Sequence, residues 1–136
     1  MNIDSSDFVK GKHVFVFGSN LAGVHGAGAA AFAKRKHGAE WGVGIGHRGS
    51  SYALPTKDRQ IESLSLEEVQ DHVDTFINYA IEHPELVFRV TQIGCGLAGF
   101  TKEEIAPLFK EAPENCHFDT AWYPLLGDKW SYWGTA

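Results

Sequence analysis

The sequence has 136 residues, of which 43% are hydrophobic and 21% are charged. This size and balance fit one globular domain, residues 1–136, and exclude a largely disordered chain. The formal net charge of -5 excludes the basic surface that general binding to nucleic acids requires. We therefore expect one hydrophobic core and no general affinity for DNA or RNA.

The N-terminal residues argue against export. Residues 1–12 carry acidic and polar side chains where a signal peptide has a basic start and a long apolar run. No stretch is long and apolar enough for a membrane helix. Cys95 and Cys116 are isolated and the histidines lack metal-ligand spacing, so we expect no disulfide framework, metal or cofactor. We predict a cytoplasmic protein without a membrane partner.

The first half of the chain predicts a strand, a loop and a helix, followed by two short strands. HVFVF at 13–17 is typical of a buried strand, and the glycine-rich segment 18–28 of a loop. Residues 29–38 combine strong helix formers with a basic last turn and a final glycine. WGVGIG at 41–46 and SYAL at 51–54 predict the two strands. Pro55 should end the second one and leave the next residues in a loop.

The second half predicts helix, strand, helix and strand. Ser65 and Glu68 form a capping box before a helix with one apolar face, and VFRVTQI at 87–93 predicts a strand. This strand runs into the glycine-rich segment 94–100, and a second capping box follows at Thr101. Pro107 lies beyond the first turn of the helix that begins there, and it predicts that this helix is bent or starts late.

A last strand is expected at 117–123, followed by an aromatic tail at 127–136. Trp130, Tyr132 and Trp133 in this tail suit either packing on the protein's own sheet or docking on a partner, and the oligomeric state stays open. The alternation of strands and helices predicts an α/β fold. We expect a three-layer α/β/α sandwich around a mixed, mostly parallel sheet.

Both glycine-rich loops run from a strand into a helix, the position where open α/β sheets bind ligands. Glycine allows a phosphate to approach the backbone N–H groups, and the helix N-terminus adds a positive dipole end. The loop glycines expected to bind a nucleotide are Gly23, Gly26, Gly28, Gly94, Gly96 and Gly99. The alternative is a tight turn without a ligand.

A dinucleotide-binding Rossmann fold is a second alternative, because residues 94–99 read GxGxxG and Asp119 lies at a suitable distance for a ribose ligand. Most of the predicted units precede this motif, whereas a Rossmann fold needs further units after it. This order disfavours the Rossmann interpretation.

Four polar residues near the loops have two interpretations each. Asn20 could bond a ribose hydroxyl or cap the following helix. His25 could serve as a donor or general base, or lie exposed on the loop. Lys57 and Asp58 follow a strand end on the expected ligand side, and surface charge is the alternative.

The segments VFVFGSNLAGVHGAGAAAF, ALPTKD and IGCGLAGF resemble those of the macro domains, a family of α/β/α sandwiches that bind ADP-ribose. Within that family the sequence looks most like the branch containing terminal ADP-ribose protein glycohydrolase and DNA ADP-ribosyl glycohydrolase. The resemblance implies a distal-ribose site at Asn20, Gly26, Ala27, Gly28 and Phe100, and a diphosphate site at Gly94, Cys95, Gly96, Leu97 and Ala98. It also implies that Lys57 attacks or polarises the anomeric carbon.

Two departures from the family pattern bear on activity. Ala98 stands where protein-directed hydrolases of this branch carry an acid, and no clear aspartate for adenine precedes the first strand, although Asp4 or Asp7 could substitute. Despite these departures, the resemblance implies hydrolysis of an ADP-ribosyl linkage by Lys57, assisted by Asn20 or His25. The alternative is a non-catalytic module for ADP-ribose, NAD or a cyclic nucleotide. The short chain with its aromatic tail suits a phage gene.

Overall fold

The structure, a computed structural model, describes residues 1–136. The strands are β1 (Asn2–Ile3), β2 (His13–Asn20), β3 (Gly46–Arg48), β4 (Ser51–Lys57), β5 (Val87–Val90), β6 (Cys116–Asp119) and β7 (Ser131–Gly134). The helices are α1 (Gly28–Lys36), α2 (Leu66–Glu82), α3 (Lys102–Ile105) and α4 (Tyr123–Leu126), with 3-10 turns at Ala106–Phe109, Thr120–Trp122 and Gly127–Lys129.

The seven strands form a single sheet in the order β1-β7-β6-β5-β2-β4-β3, and only β3 and β4 pair in antiparallel fashion. Side chains of β2 alternate between two cores, as expected for a strand buried on both faces. Val14 and Val16 enter the larger core with α2, whereas Phe15 and Phe17 enter a smaller core with α1. The predicted three-layer α/β/α fold is confirmed.

The two capping boxes predicted at Ser65 and Thr101 are both present. α3 begins at Lys102, directly after its cap, so it does not start late as Pro107 allowed. It ends at Ile105 and the chain continues as a 3-10 turn, so the proline shortens the α-helix. A proline at this point cannot supply an N–H to an α-helical ladder.

Two strand predictions in the first half were wrong. β3 shares only Gly46 with the strand expected at 41–46. The residues before Gly46 fold back on the first loop, where the N–H of Gly42 donates to the carbonyl of Gly23. Pro55 does not end β4, which continues to Lys57. β3 pairs with β4 no further than Ala53, so Pro55 lies where one side of β4 has no partner strand and a missing N–H is tolerated.

Two later strands are shorter than expected. β5 ends at Val90, and the hydroxyl of Thr91 donates to the carbonyl of Val16 as the chain turns away. β6 ends at Asp119, whose carboxylate accepts from the N–H of Ala121 and caps a 3-10 turn.

The aromatic segment 127–136 packs within the protein. β7 lies between β1 and β6. Trp130, just before it, and Tyr132, within it, are buried in the larger core. The indole N–H of Trp133 donates to the carbonyl of Val90 at 3.0 Å. Of the two uses considered for these aromatics, the structure therefore shows packing on the protein's own sheet.

The N-terminal segment crosses the sheet face that carries α1 and is held there by charge. Asp4 Oδ2 lies 2.8 Å from His117 Nδ1 and 3.6 Å from Arg89 Nη2. Arg89 also donates to the carbonyl of Ser6 and lies over the ring of Phe8. Burial opposes ionisation of Asp4, but hydrogen bonds from Ser6 and His117 outweigh it and hold the pKa of Asp4 well below its usual value.

None of the helices is long and apolar enough to cross a membrane.

We predict that Asp4→Asn lowers the free energy of unfolding by about 2 kcal/mol at pH 7, because it leaves the buried Arg89 without its carboxylate. The lowered pKa of Asp4 means that its contribution is complete above the unfolded value near 3.8 and is lost as the pH falls below it. The difference between the two proteins should therefore narrow below about pH 4. Urea unfolding across pH measures this, with the exposed Asp7→Asn as a control that changes stability by less than about 0.5 kcal/mol. Equal effects of the two substitutions would contradict a stabilising role for the contacts of Asp4 with Arg89 and His117.

Candidate functional site

The two glycine-rich loops border one cavity of about 920 Å³ beyond the carboxyl ends of β2, β4 and β5. Its volume lies at the upper end of the range for small-molecule sites. The predicted site residues that line it are Asn20, Gly26, Ala27, Gly28, Lys57, Gly94, Cys95, Gly96, Leu97 and Ala98. His25, Gly23, Gly99 and Phe100 lie outside the lining.

Free backbone N–H groups are concentrated in the second loop. The N–H groups of Gly99 and Phe100 donate to carbonyls within the loop, and that of Cys95 donates to the carbonyl of Gln92 just before it. Those of Gly94, Gly96, Leu97 and Ala98 have no acceptor in the protein. All four of these residues line the cavity, so the loop offers a set of donors to a bound anion.

The N-terminus of α1 supplies a second group of donors at the same cavity. Its N-cap residue, Ala27, makes no side-chain hydrogen bond to the helix, and α1 differs in this respect from the capped helices α2 and α3. The N–H groups of Gly28, Ala29 and Ala30 are without acceptors in the protein, and these residues line the cavity. An uncapped helix N-terminus of this length favours an anion through its free N–H groups and its dipole.

Asn20 closes the first loop on itself and does not cap α1. Its side-chain amide donates to the carbonyl of Val24 at 2.8 Å and accepts from the N–H of Val24 at 3.0 Å. This pair of bonds fixes the loop between β2 and α1. The Asn20 residue still lines the cavity.

His25 is buried and not exposed as a loop histidine would be. Its Nε2 lies 2.9 Å from the carbonyl oxygen of Glu40 and 3.1 Å from that of Val43, and its ring packs edge-on to Phe17. It joins the first loop to the segment that follows α1. Assistance to catalysis by His25 stays a prediction.

Gly23 holds the same two segments together by close packing. A Cβ on Gly23 would lie 2.2 Å from the carbonyl carbon of Gly42, and the backbone has a φ of +72°. A Cβ on Gly44 would lie 2.2 Å from the carbonyl oxygen of Asn20. Both positions therefore require glycine so that the backbones can approach each other.

The end of β4 places Lys57 beside Asn20, since the two residues are register partners. Lys57 is half-buried, lines the cavity and forms no salt bridge. Asp58 turns away, because its carboxylate accepts from the N–H groups of Gln60 and Glu62. This turn holds Ile61 at a φ of +63°, an unusual conformation for a β-branched residue, on the cavity wall.

The thiol of Cys95 is half-buried in the cavity wall. Burial, with the nearby carboxylates of Glu103 and Glu104, raises the pKa of Cys95 to about 11. The thiol is therefore protonated at neutral pH and lacks the thiolate character of a nucleophile.

The aspartates considered for binding adenine or ribose lie outside the cavity lining. Asp4 is bound to His117 and Arg89, Asp7 is exposed, and Asp119 caps a 3-10 turn. The cavity lining contains no aspartate or glutamate. The sheet order also differs from that of a Rossmann fold, as expected from the order of the predicted units.

Several cavity residues were missed from the sequence. Those with bulky or polar side chains are Phe15, Ser19, Val24, Phe32, Arg35, Thr56, Ile61, Thr91 and Gln92. The spacing of Phe32 and Arg35 on one helix face was the available signal. No local signal distinguished Ile61, because its position depends on the turn made by Asp58.

Comparison with known proteins identifies the fold. No protein-family model matches the sequence, and no curated protein matches it. A structure of a protein of unknown function from Bacteroides thetaiotaomicron is 18% identical, with 81% of this chain and 88% of that chain covered and a TM-score of 0.58. The macrodomain of Mycobacterium tuberculosis DarG is 17% identical, with 99% and 97% covered and a TM-score of 0.58.

We predict that Gly23→Ala destabilises the protein by about 3 kcal/mol, since the new methyl group meets backbone that cannot move aside. Gly26→Ala is the matched control in the same loop, because a Cβ there meets nothing within 4 Å. It should change stability by less than about 0.5 kcal/mol. Thermal and urea unfolding of the two variants measure the difference. A tolerated Gly23→Ala would refute the packing role.

Proposed function

The chain has the macrodomain fold, and on this basis we propose that it binds ADP-ribose in the cavity between the two glycine-rich loops. The observation that carries the proposal is the pair of donor groups described above. Free N–H groups of the second loop and of the α1 N-terminus border one cavity whose lining contains no aspartate or glutamate. This arrangement suits a diphosphate, which carries negative charge and several acceptor oxygens.

The two ends of the cavity are assigned here to the groups that flank the diphosphate, the distal ribose and the adenosine. Residues Gly26 to Gly28 line the same cavity as Asn20 and Lys57, which are register partners, and this supports a distal ribose at this end. The cavity continues along α1 past Ala29 and Phe32. We place the adenosine there, with no carboxylate for its amino group.

We predict that Gly96→Glu weakens ADP-ribose binding by about a hundredfold or more, because a carboxylate would enter the diphosphate site and repel it. A Cβ on Gly96 meets nothing within 4 Å, so the variant should fold normally. Gly96→Gln is the matched control, which adds the same bulk without charge and should retain more affinity than Gly96→Glu. Calorimetry with ADP-ribose measures all three proteins. Absence of binding heat for the wild type at millimolar ADP-ribose would remove the proposal.

A second candidate function is hydrolysis of an ADP-ribosyl linkage by Lys57. It is favoured by a specific observation, since Lys57 lines the cavity and its ammonium group is not engaged by a carboxylate. As a neutral amine Lys57 would attack the anomeric carbon while the bond to the leaving group breaks, and water would then hydrolyse the new C–N linkage to release ADP-ribose and restore the lysine. As an ammonium it would stabilise the charge that develops on the leaving group while water attacks the anomeric carbon. Ala98 provides no acid to assist. A reaction at this site would therefore depend on Lys57 alone among the charged groups nearby.

We predict that Lys57→Ala lowers release of ADP-ribose from modified protein or DNA by about a hundredfold or more, the usual contribution of such a group. The exposed Arg59, two residues further on and outside the cavity lining, supplies the control variant Arg59→Ala. Product release by chromatography and ADP-ribose affinity are measured for each protein. Equal release by wild type and Lys57→Ala would exclude a role for Lys57. Binding without release by the wild type would favour the non-catalytic module.

A further inference from the structure

The cavity extends beyond the two loops along one face of α1. Ala29, Phe32 and Arg35 recur every three residues, so they share a helix face, and all three line the cavity. Phe15, which lies five residues before Asn20 on β2, lines it too. Five strand residues span about 16 Å. The cavity therefore has one end at Lys57 and a second end at Phe32 and Arg35.

The second end presents an aromatic ring to solvent. Phe32 is 39% exposed, and the other apolar side chains of its helix are all alanines. Its ring is held 5.4 Å from Phe15 and 5.3 Å from His37, measured between ring centres. A supported, exposed ring at a cavity edge is a stacking surface for a planar base.

Arg35 adds a cation to this end. Its guanidinium has no carboxylate within 4.0 Å, and the cavity lining holds only one other cation, Lys57, and no acid. Lys34 and Lys36 belong to the same helix turn but lie outside the lining. A guanidinium binds phosphate through two parallel N–H donors, and an arginine beside the ribose is one way to accommodate a 2′-phosphate.

We propose that the end of the cavity formed by Phe32 and Arg35 selects nucleotides with an additional phosphate on the ribose next to the base. The base stacks on Phe32, and the phosphate, at the 2′ position, pairs with Arg35. This inference rests on the proposed function, because a diphosphate held at the second loop and the α1 N-terminus directs the adenosine along α1. Because Arg35 lies in the last turn of α1, the phosphate would be near the negative dipole end of this helix. The positive charges of Lys34 and Lys36 in the same turn offset that repulsion.

The test compares ADP-ribose with its 2′-phosphate derivative, and adenosine 2′,5′-bisphosphate with the 3′,5′-isomer, by calorimetry at constant salt. The wild type should bind the phosphorylated ADP-ribose about tenfold tighter than ADP-ribose. Arg35→Ala should bring this ratio close to one. Lys34→Ala and Lys36→Ala, which remove the same charge from the same turn, should retain most of it. The two bisphosphates identify which ribose position is read.

Equal affinity of the wild type for ADP-ribose and its phosphate derivative would overturn the inference, and so would an equal loss of preference in Arg35→Ala and Lys36→Ala. Failure of the proposed function has a different signature, since ADP-ribose would then not bind. In that case binding of either bisphosphate that depends on Arg35 would still support the inference, and no binding of any ligand would reject both.

Discussion

The close approach of two backbone segments determines the form of the candidate site. Gly23 contacts Gly42, and Gly44 contacts Asn20, at distances that leave no room for a Cβ. This contact fixes the loop between β2 and α1, and His25 and Asn20 add hydrogen bonds that hold it. Because the loop is fixed, the first turn of α1 remains at the cavity with its N–H groups free. The donor arrangement at the site depends on this packing.

The helices that follow β2, β4 and β5 differ in how their first N–H groups are satisfied. α2 and α3 begin with capping boxes that satisfy their first N–H groups internally. α1 begins at Gly28, and its N-cap residue Ala27 supplies no side-chain cap. The residues suited to capping, Ser19 and Asn20, lie at the end of β2 instead. An uncapped end costs stability unless something else accepts its hydrogen bonds. A bound anion would be such an acceptor, and the free N–H groups of Gly94 and Gly96 lie at the same cavity.

Cationic side chains line the cavity, whereas the acidic side chains lie outside its lining. The protein is acidic overall, with a net charge of -5, yet the cavity lining contains two cations and no acid. The nearby carboxylates have other partners, as Asp58 organises its own turn and Asp119 caps another. Asp4 instead holds the N-terminal segment on the sheet through Arg89. Acidic groups therefore contribute to structure outside the cavity and do not compete there with an anionic ligand.

Local signals in the sequence were sufficient for the capping boxes, the alternation of strands and helices and the two glycine-rich loops, because each depends on residues close together in the chain. The strand limits at Pro55 and Asp119, the burial of His25 and the place of the aromatic segment within the sheet depended on distant neighbours. The same holds for the cavity residues Phe15, Ile61 and Arg35. The sequence by itself determined the fold class and the two glycine-rich loops that border the cavity. Only the tertiary structure decided which side chains surround the cavity, since that depends on contacts between segments far apart in the chain.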